Sequence, residues 1–222
     1  MRSETNQVEW PDVAHEDRKT NMIKKLINGT IRKLGYELIR VPHPISNPEN
    51  ISVPRYDKIH YACGRNYLPG WLNTDIIAQG PENYKYVNLI APHPFPDNFF
   101  RYAFCEDFIE HVNQASSLLF LVEAYRTLKS GGVLRITMPF LENVLVKHYR
   151  KNDYKSFEIG ELEAYSQHGH IHFYTKDSLQ TALHHIGFKV DFVESGISSH
   201  PDLHGLNTRN DIVNVHAELT KL

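Results

Sequence analysis

The chain is predicted to fold as an α/β domain built on a mostly parallel sheet with helices on both faces. Three observations carry this. From residue 57 onward, short apolar runs alternate with helix-like segments, the pattern of a parallel sheet whose crossovers are helices. The apolar run at 58–62 ends in Ala62-Cys63-Gly64, where glycine lets a ligand approach the backbone closely. The run at 72–75 ends in Asp75, an acid able to accept two hydrogen bonds from a ribose diol.

Taken in order, residues 1–20 are polar and read as a flexible N-terminus. Residues 21–41 carry Ile23, Leu26, Ile27, Ile31, Leu34 and Leu38 at helical spacing. Over 18–40, seven basic residues oppose the single acid Glu37. Two readings stand for this basic helix: contact with an anionic membrane surface through residues 21–40, or packing on the domain with a solvated basic face. Pro42, Pro44, Pro48 and Pro54 make a connector that opposes both helix and central strand. The division is therefore 1–20, 21–56 and a folded domain over 57–222.

Strands are expected near 58–62, 72–75, 85–88, 100–105, 132–138, 188–194 and 212–219. Helices are expected near 112–129, 141–150 and 175–186. Gly64 and Asp75 are eleven positions apart, whereas a dinucleotide fold places its acid about 20 residues on. No full crossover helix fits that gap, so the first helix is very short or replaced by a turn. The GxGxxG pattern is absent, which speaks against a nicotinamide dinucleotide. Ser130-Gly131-Gly132 reads as a left-handed cap ending the 112–129 helix. Thr175-Lys176-Asp177-Ser178 reads as the polar start of the last helix.

With 222 residues and 41% hydrophobic content, the chain is long enough for a sizeable core. A net charge of −2 gives no reason to expect a nucleic-acid partner. Two cysteines make no disulfide framework, and no apolar run reaches membrane-spanning length. A cytoplasmic protein is expected, peripheral to the inner membrane face if the basic helix meets lipid.

Several motifs stand in a fixed order: Ala62-Cys63-Gly64; Leu68-Pro69-Gly70-Trp71-Leu72-Asn73-Thr74-Asp75; Pro94-Phe95-Pro96-Asp97-Asn98; Glu110-His111; and Arg126-Thr127-Leu128-Lys129-Ser130-Gly131-Gly132. In this order they resemble class I S-adenosylmethionine-dependent methyltransferases, and most nearly a small bacterial subgroup associated with surface-polysaccharide synthesis. The likeness covers 58–140 well and 165–219 loosely. It implies a Rossmann-like seven-stranded sheet, mostly parallel, with an antiparallel edge strand. It implies S-adenosylmethionine as cofactor and a hydroxyl of a glycan or other small molecule as acceptor. Ala62, Cys63 and Gly64 would line its methionine part, Asp75 its ribose, Asn88 and Leu89 its adenine, and Glu106 its methionine end. The family often has aspartate where Asn88 and Arg101 stand, which bears on adenine placement. A protein of this fold that has lost transfer activity is the alternative from another class.

Deprotonating a hydroxyl calls for a general base, and histidine suits that task near neutral pH. The chain has 14 histidines. His168, His170 and His172 alternate and would share one face if extended; His111 follows the fourth strand. His170, His168 and His111 are the catalytic candidates. No carboxylate accompanies the three alternating histidines at a recognised metal-binding spacing, so no metal is expected. Residues 141–170, with Lys147, Arg150, Lys151 and Lys155, read as a mobile cover whose cations could meet a diphosphate. Ser198–His204 and Arg209 form a loop that would complete the acceptor pocket.

Overall fold

The computed structural model describes residues 47, 55–76, 80–207, 209 and 212–222. These belong to the second of two units, Pro44–Leu222. The basic helix at 21–41 and most of the proline-rich connector lie outside the described residues.

Among the described residues, seven strands form one sheet in the order β3-β2-β1-β4-β5-β7-β6. They are β1 Lys58–Tyr61, β2 Leu72–Asp75, β3 Tyr84–Tyr86, β4 Phe100–Glu106, β5 Leu128–Pro139, β6 Phe188–Val193 and β7 Asn214–Lys221. The first five are parallel, and β7 runs antiparallel to both β5 and β6. The helices are α1 Gln114–Thr127, α2 Leu141–His148, α3 Tyr154–Glu161 and α4 Lys176–Ile186, with a π-helical turn at Leu162–Gln167.

The main core fills one face of the sheet. Ile59 and Tyr61 of β1, Ala103 and Cys105 of β4, Leu134 and Ile136 of β5, and Ala217 and Leu219 of β7 meet Phe120, Leu121 and Ala124 of α1 and Leu179 and Leu183 of α4. The polar start expected at Thr175–Ser178 is a capping box between Thr175 and Ser178, and Gly187 closes that helix in the left-handed region. On the opposite face, Trp71, Tyr102, Phe104 and Val133 pack under Leu203 of the β6–β7 connection.

No helix links β1 to β2, as the short spacing requires. The fully buried Asn73 clamps the turn instead. Its Oδ1 accepts from Leu68 N–H at 2.8 Å, and its Nδ2 donates to the Leu68 and Trp71 carbonyls at 3.1 and 3.2 Å. Asn83 Nδ2 donates to the same two carbonyls. Two side-chain amides thus satisfy backbone groups that a crossover helix would satisfy internally.

Two local expectations are corrected. The helix expected at 112–129 ends at Thr127, with Leu128 already extended. The left-handed Gly131 serves a register jump at the start of β5, where Phe100 pairs with Leu128 but Tyr102 pairs with Val133. A Cβ on Gly132 would lie 2.8 Å from the Lys129 carbonyl oxygen, so the bulge needs its second glycine as well. Residues 154–161 form a helix that was not expected. Asp153 caps it, and Gly160 lets it pass His148 of α2, where a Cβ would come within 2.7 Å.

Candidate functional site

In a sheet of this kind ligands bind beyond the carboxyl ends of the strands. Strand register places Tyr61 beside Cys105, Asp75 beside Tyr86, and Glu106 beside Thr137. The chain leaves two adjacent central strands through non-glycine residues with positive φ: Ala62 at 49° after β1 and Asp107 at 52° after β4. Backbone held in this region concentrates at functional sites.

Asp75 and Gly64 meet across the rim. Asp75 Oδ2 accepts from Gly64 N–H at 2.8 Å, and Oδ1 accepts from Ile76 N–H at 2.6 Å. An ionised carboxylate offers about four acceptor positions, so two remain for a diol. Gly64 itself has φ +53°, and a Cβ there would meet nothing within 4 Å. The turn therefore presents open space beside an anchored acid. Cys63 N–H donates to the Thr74 carbonyl at 3.0 Å, tying the turn to β2. Burial pushes the Cys63 thiol up to about 12, so it stays protonated and contributes through its backbone.

The third-strand residues are built differently. The Asn88 side chain accepts from Ile90 N–H at 3.2 Å within its own loop, while Asn47 donates to the Asn88 and Pro92 carbonyls and accepts from Asn88 N–H. Leu89 is a core side chain. Glu106, at the end of β4, accepts from Arg209 N–H at 3.4 Å, and Arg209 Nε pairs with Asp107 at 2.5 Å. Arg209 thereby brings the β6–β7 connection to this rim.

Beyond β4 a short 3-10 turn, Ile109–His111, projects Glu110 and His111. Ile171 N–H donates to the Glu110 carbonyl at 2.9 Å, holding the 168–172 segment against it. The His111 and His170 rings lie 4.8 Å apart, and the His168 ring stacks on His170 at 5.5 Å. The segment is not extended: Gly169 is left-handed after the π-helical turn, and His172 packs on Tyr174 at 4.4 Å, apart from that set. Thus the three catalytic candidates gather, and His172 does not join them.

The cluster contains a residue that sequence reasoning missed. Glu110 is 2% exposed, and neither carboxylate oxygen finds a hydrogen-bond partner on another described residue. Burial raises its pKa to about 8. Burial and the neighbouring His111 and His168 lower His170 to about 4, and burial lowers His111 too. Near neutral pH the imidazoles of His111 and His170 are therefore uncharged. The signal for Glu110 was its place directly before His111 in a turn flanked by apolar Phe108 and Ile109.

Between the end of α2 and α3 lies a cavity of about 160 Å³ lined by Lys147, Arg150, Asp153 and Lys155, among others. A wider cleft of about 570 Å³ lies between α4 and β6, and none of the rim residues line it. No described helix is long and apolar enough to cross a membrane.

Residues 32–192 match the family model of a methyltransferase domain. Two solved structures share the fold. A SAM-dependent methyltransferase from Methanosarcina mazei is 21% identical, with 74% of this chain and 92% of that chain covered and a TM-score of 0.51. An S-adenosylmethionine-dependent methyltransferase from Mesorhizobium loti is 14% identical, with 78% and 94% covered and a TM-score of 0.51. No curated protein matches this chain.

Proposed function

This chain belongs to the methyltransferase-domain family and is an S-adenosylmethionine-dependent methyltransferase, and from that premise we propose that it methylates a hydroxyl group, on a sugar of a surface glycan or of its nucleotide- or lipid-linked precursor. The observation that carries the hydroxyl is the gathering of His111, His168 and His170 just past the β4 rim. S-adenosylmethionine supplies an electrophilic methyl group on a sulfonium, so the protein's tasks are alignment and removal of the acceptor's proton.

Asp75 holds the ribose, and Ala62, Cys63 and Gly64 line the methionine portion. Asn88 and Leu89 flank the adenine through the loop that Asn47 fixes. Glu106 meets the methionine end. His170 takes the acceptor proton: its Nδ1 is buried with no hydrogen-bond partner among the described residues. His111 and His168 flank it and share the proton's exit. The glycan reading draws support from the motif order 58–140 and from the cavity where Lys147, Arg150 and Lys155 converge, a setting suited to a diphosphate.

The test is turnover of S-adenosylmethionine by the purified chain with pools of nucleotide-sugars, lipid-linked glycans and, as a contrast, amines. Methyl transfer to a sugar oxygen is expected. His170→Ala is expected to lower the transfer rate more than it weakens cofactor binding. Equal losses in both would argue against the base role, and methylation confined to amines would overturn the hydroxyl assignment.

A further inference from the structure

We propose that Glu110, His111 and His170 form a binding site for one divalent transition-metal ion. Each offers one donor atom, and the three atoms lie within 4.8 Å of one another. Two imidazoles and a carboxylate are a donor set that holds such ions while leaving a position open. On a tetrahedral ion with bonds of about 2.0–2.1 Å the donors stand about 3.4 Å apart.

A second observation points to a ligand. A carboxylate buried without partners carries a large desolvation penalty. Glu110 is 2% exposed, and both its oxygens lack a partner on any other described residue. His170 Nδ1 in the same cluster lacks one as well. A cation bound by the cluster would give the buried carboxylate the partner it lacks. The backbone holds the two halves of the site together, since Ile171 N–H is bonded to the Glu110 carbonyl at 2.9 Å. Spacing along the chain does not reveal the set, because Glu110 and His170 lie on different connections, one after β4 and one after β5.

A cation here would lower the pKa of a hydroxyl oxygen brought to its open position. With an ion bound, His170 would act as a ligand in place of its proposed base role, and the exposed His168 would pass the proton to water. That consequence rests on the methyl-transfer reading; the metal binding does not.

The experiment uses the full chain without an affinity tag, stripped by chelator and dialysed. It is titrated with Zn²⁺ and, separately, Mn²⁺, with no cofactor or acceptor present, and bound metal is counted by elemental analysis. The wild type and a surface control, His204→Ala, are expected to take up one ion per chain. Glu110→Gln and His170→Ala are expected to bind it more weakly by about tenfold or more, with circular dichroism and S-adenosylhomocysteine binding showing that they fold. A readout that needs no variant is the shift of the His111 and His170 ring signals when Co²⁺ binds the wild type. Failure of the wild type to take up stoichiometric metal, or uptake unchanged in both variants, overturns the site. Metal uptake as expected, with methyl transfer undiminished by chelation, upholds the site and removes only its catalytic consequence.

Discussion

Replacing Asp75 tests the cofactor geometry most directly. Its carboxylate has two duties that differ in size. Toward the protein it accepts from Gly64 N–H at 2.8 Å and Ile76 N–H at 2.6 Å. Toward the proposed ribose it would keep about two acceptor positions. A hydrogen bond to a charged group contributes about 1.5–3 kcal/mol, but water replaces part of what a half-exposed site loses. Asp75→Ala is therefore expected to weaken binding by about 1–3 kcal/mol, or about fivefold to 150-fold. Loss of the Gly64 contact costs a further fraction of folding stability, about 0.5–1.5 kcal/mol. Asp75→Asn keeps one acceptor oxygen and falls between. The assay is calorimetric titration with S-adenosylhomocysteine, run beside thermal melts to confirm folding. Affinity of the folded alanine variant within twofold of wild type would refute the ribose assignment.

Two further outcomes follow from buried charge. Burial lowers the pKa of His60 from 6.5 to about 4, so the folded chain refuses a proton that the unfolded chain takes up below pH 6.5. The stability contribution is complete above about pH 6.5 and is lost as pH falls toward 4, with a slope of about one proton. In urea titrations at pH 7.5 and 5, His60→Gln should lose less stability than wild type; equal losses would rule His60 out. Arg135 is fully buried, and its Nη1 donates to Glu218 Oε1 at 2.8 Å. Arg135→Leu strands that carboxylate and should cost about 3–5 kcal/mol, while Arg135→Leu with Glu218→Leu should cost less. A double variant no more stable than the single one would show that the ion pair is not the main anchor.

What the sequence made legible was local. The apolar runs, the glycine turn and the acid closing β2 placed the first strands, because each follows from spacing over a few residues. The polar helix start at Thr175–Ser178 was readable for the same reason, and the structure resolves it as a capping box. Helix α3 was hidden because Phe157 and Ile159 make no helical stripe, and its Gly160 reads as a breaker until His148 is seen against it. Gly131 read as a helix cap because a bulge and a cap demand the same positive φ, and only pairing with β4 tells them apart. At the site, His111, His168 and His170 could be named from their positions. Glu110 could not be tied to His170, since tertiary contact alone joins them. The basic helix at 21–41 lies outside the described residues, and its two readings stand as proposals.

The β6–β7 connection shows why the far face of the sheet matters to the near rim. The face bearing Tyr102, Phe104 and Val133 is covered by a segment with no regular secondary structure, which must be fixed by side chains. Arg135, pointing from β5, does this: it donates to the carbonyls of Ile197 and Glu194, to Asn207 and to Glu218. Lys58 on β1 adds an ion pair with Asp202 at 2.7 Å, and Leu203 seats beside Tyr102. Two residues beyond Asn207, Arg209 reaches Asp107, which the chain enters in a strained conformation directly after β4. Asp107 opens the turn that carries Glu110 and His111. The buried guanidinium thus fixes the segment that supplies Arg209. A large polar residue at the centre of a sheet face, costly in itself, is therefore placed where a loop must be held in one register for the rim to keep its shape.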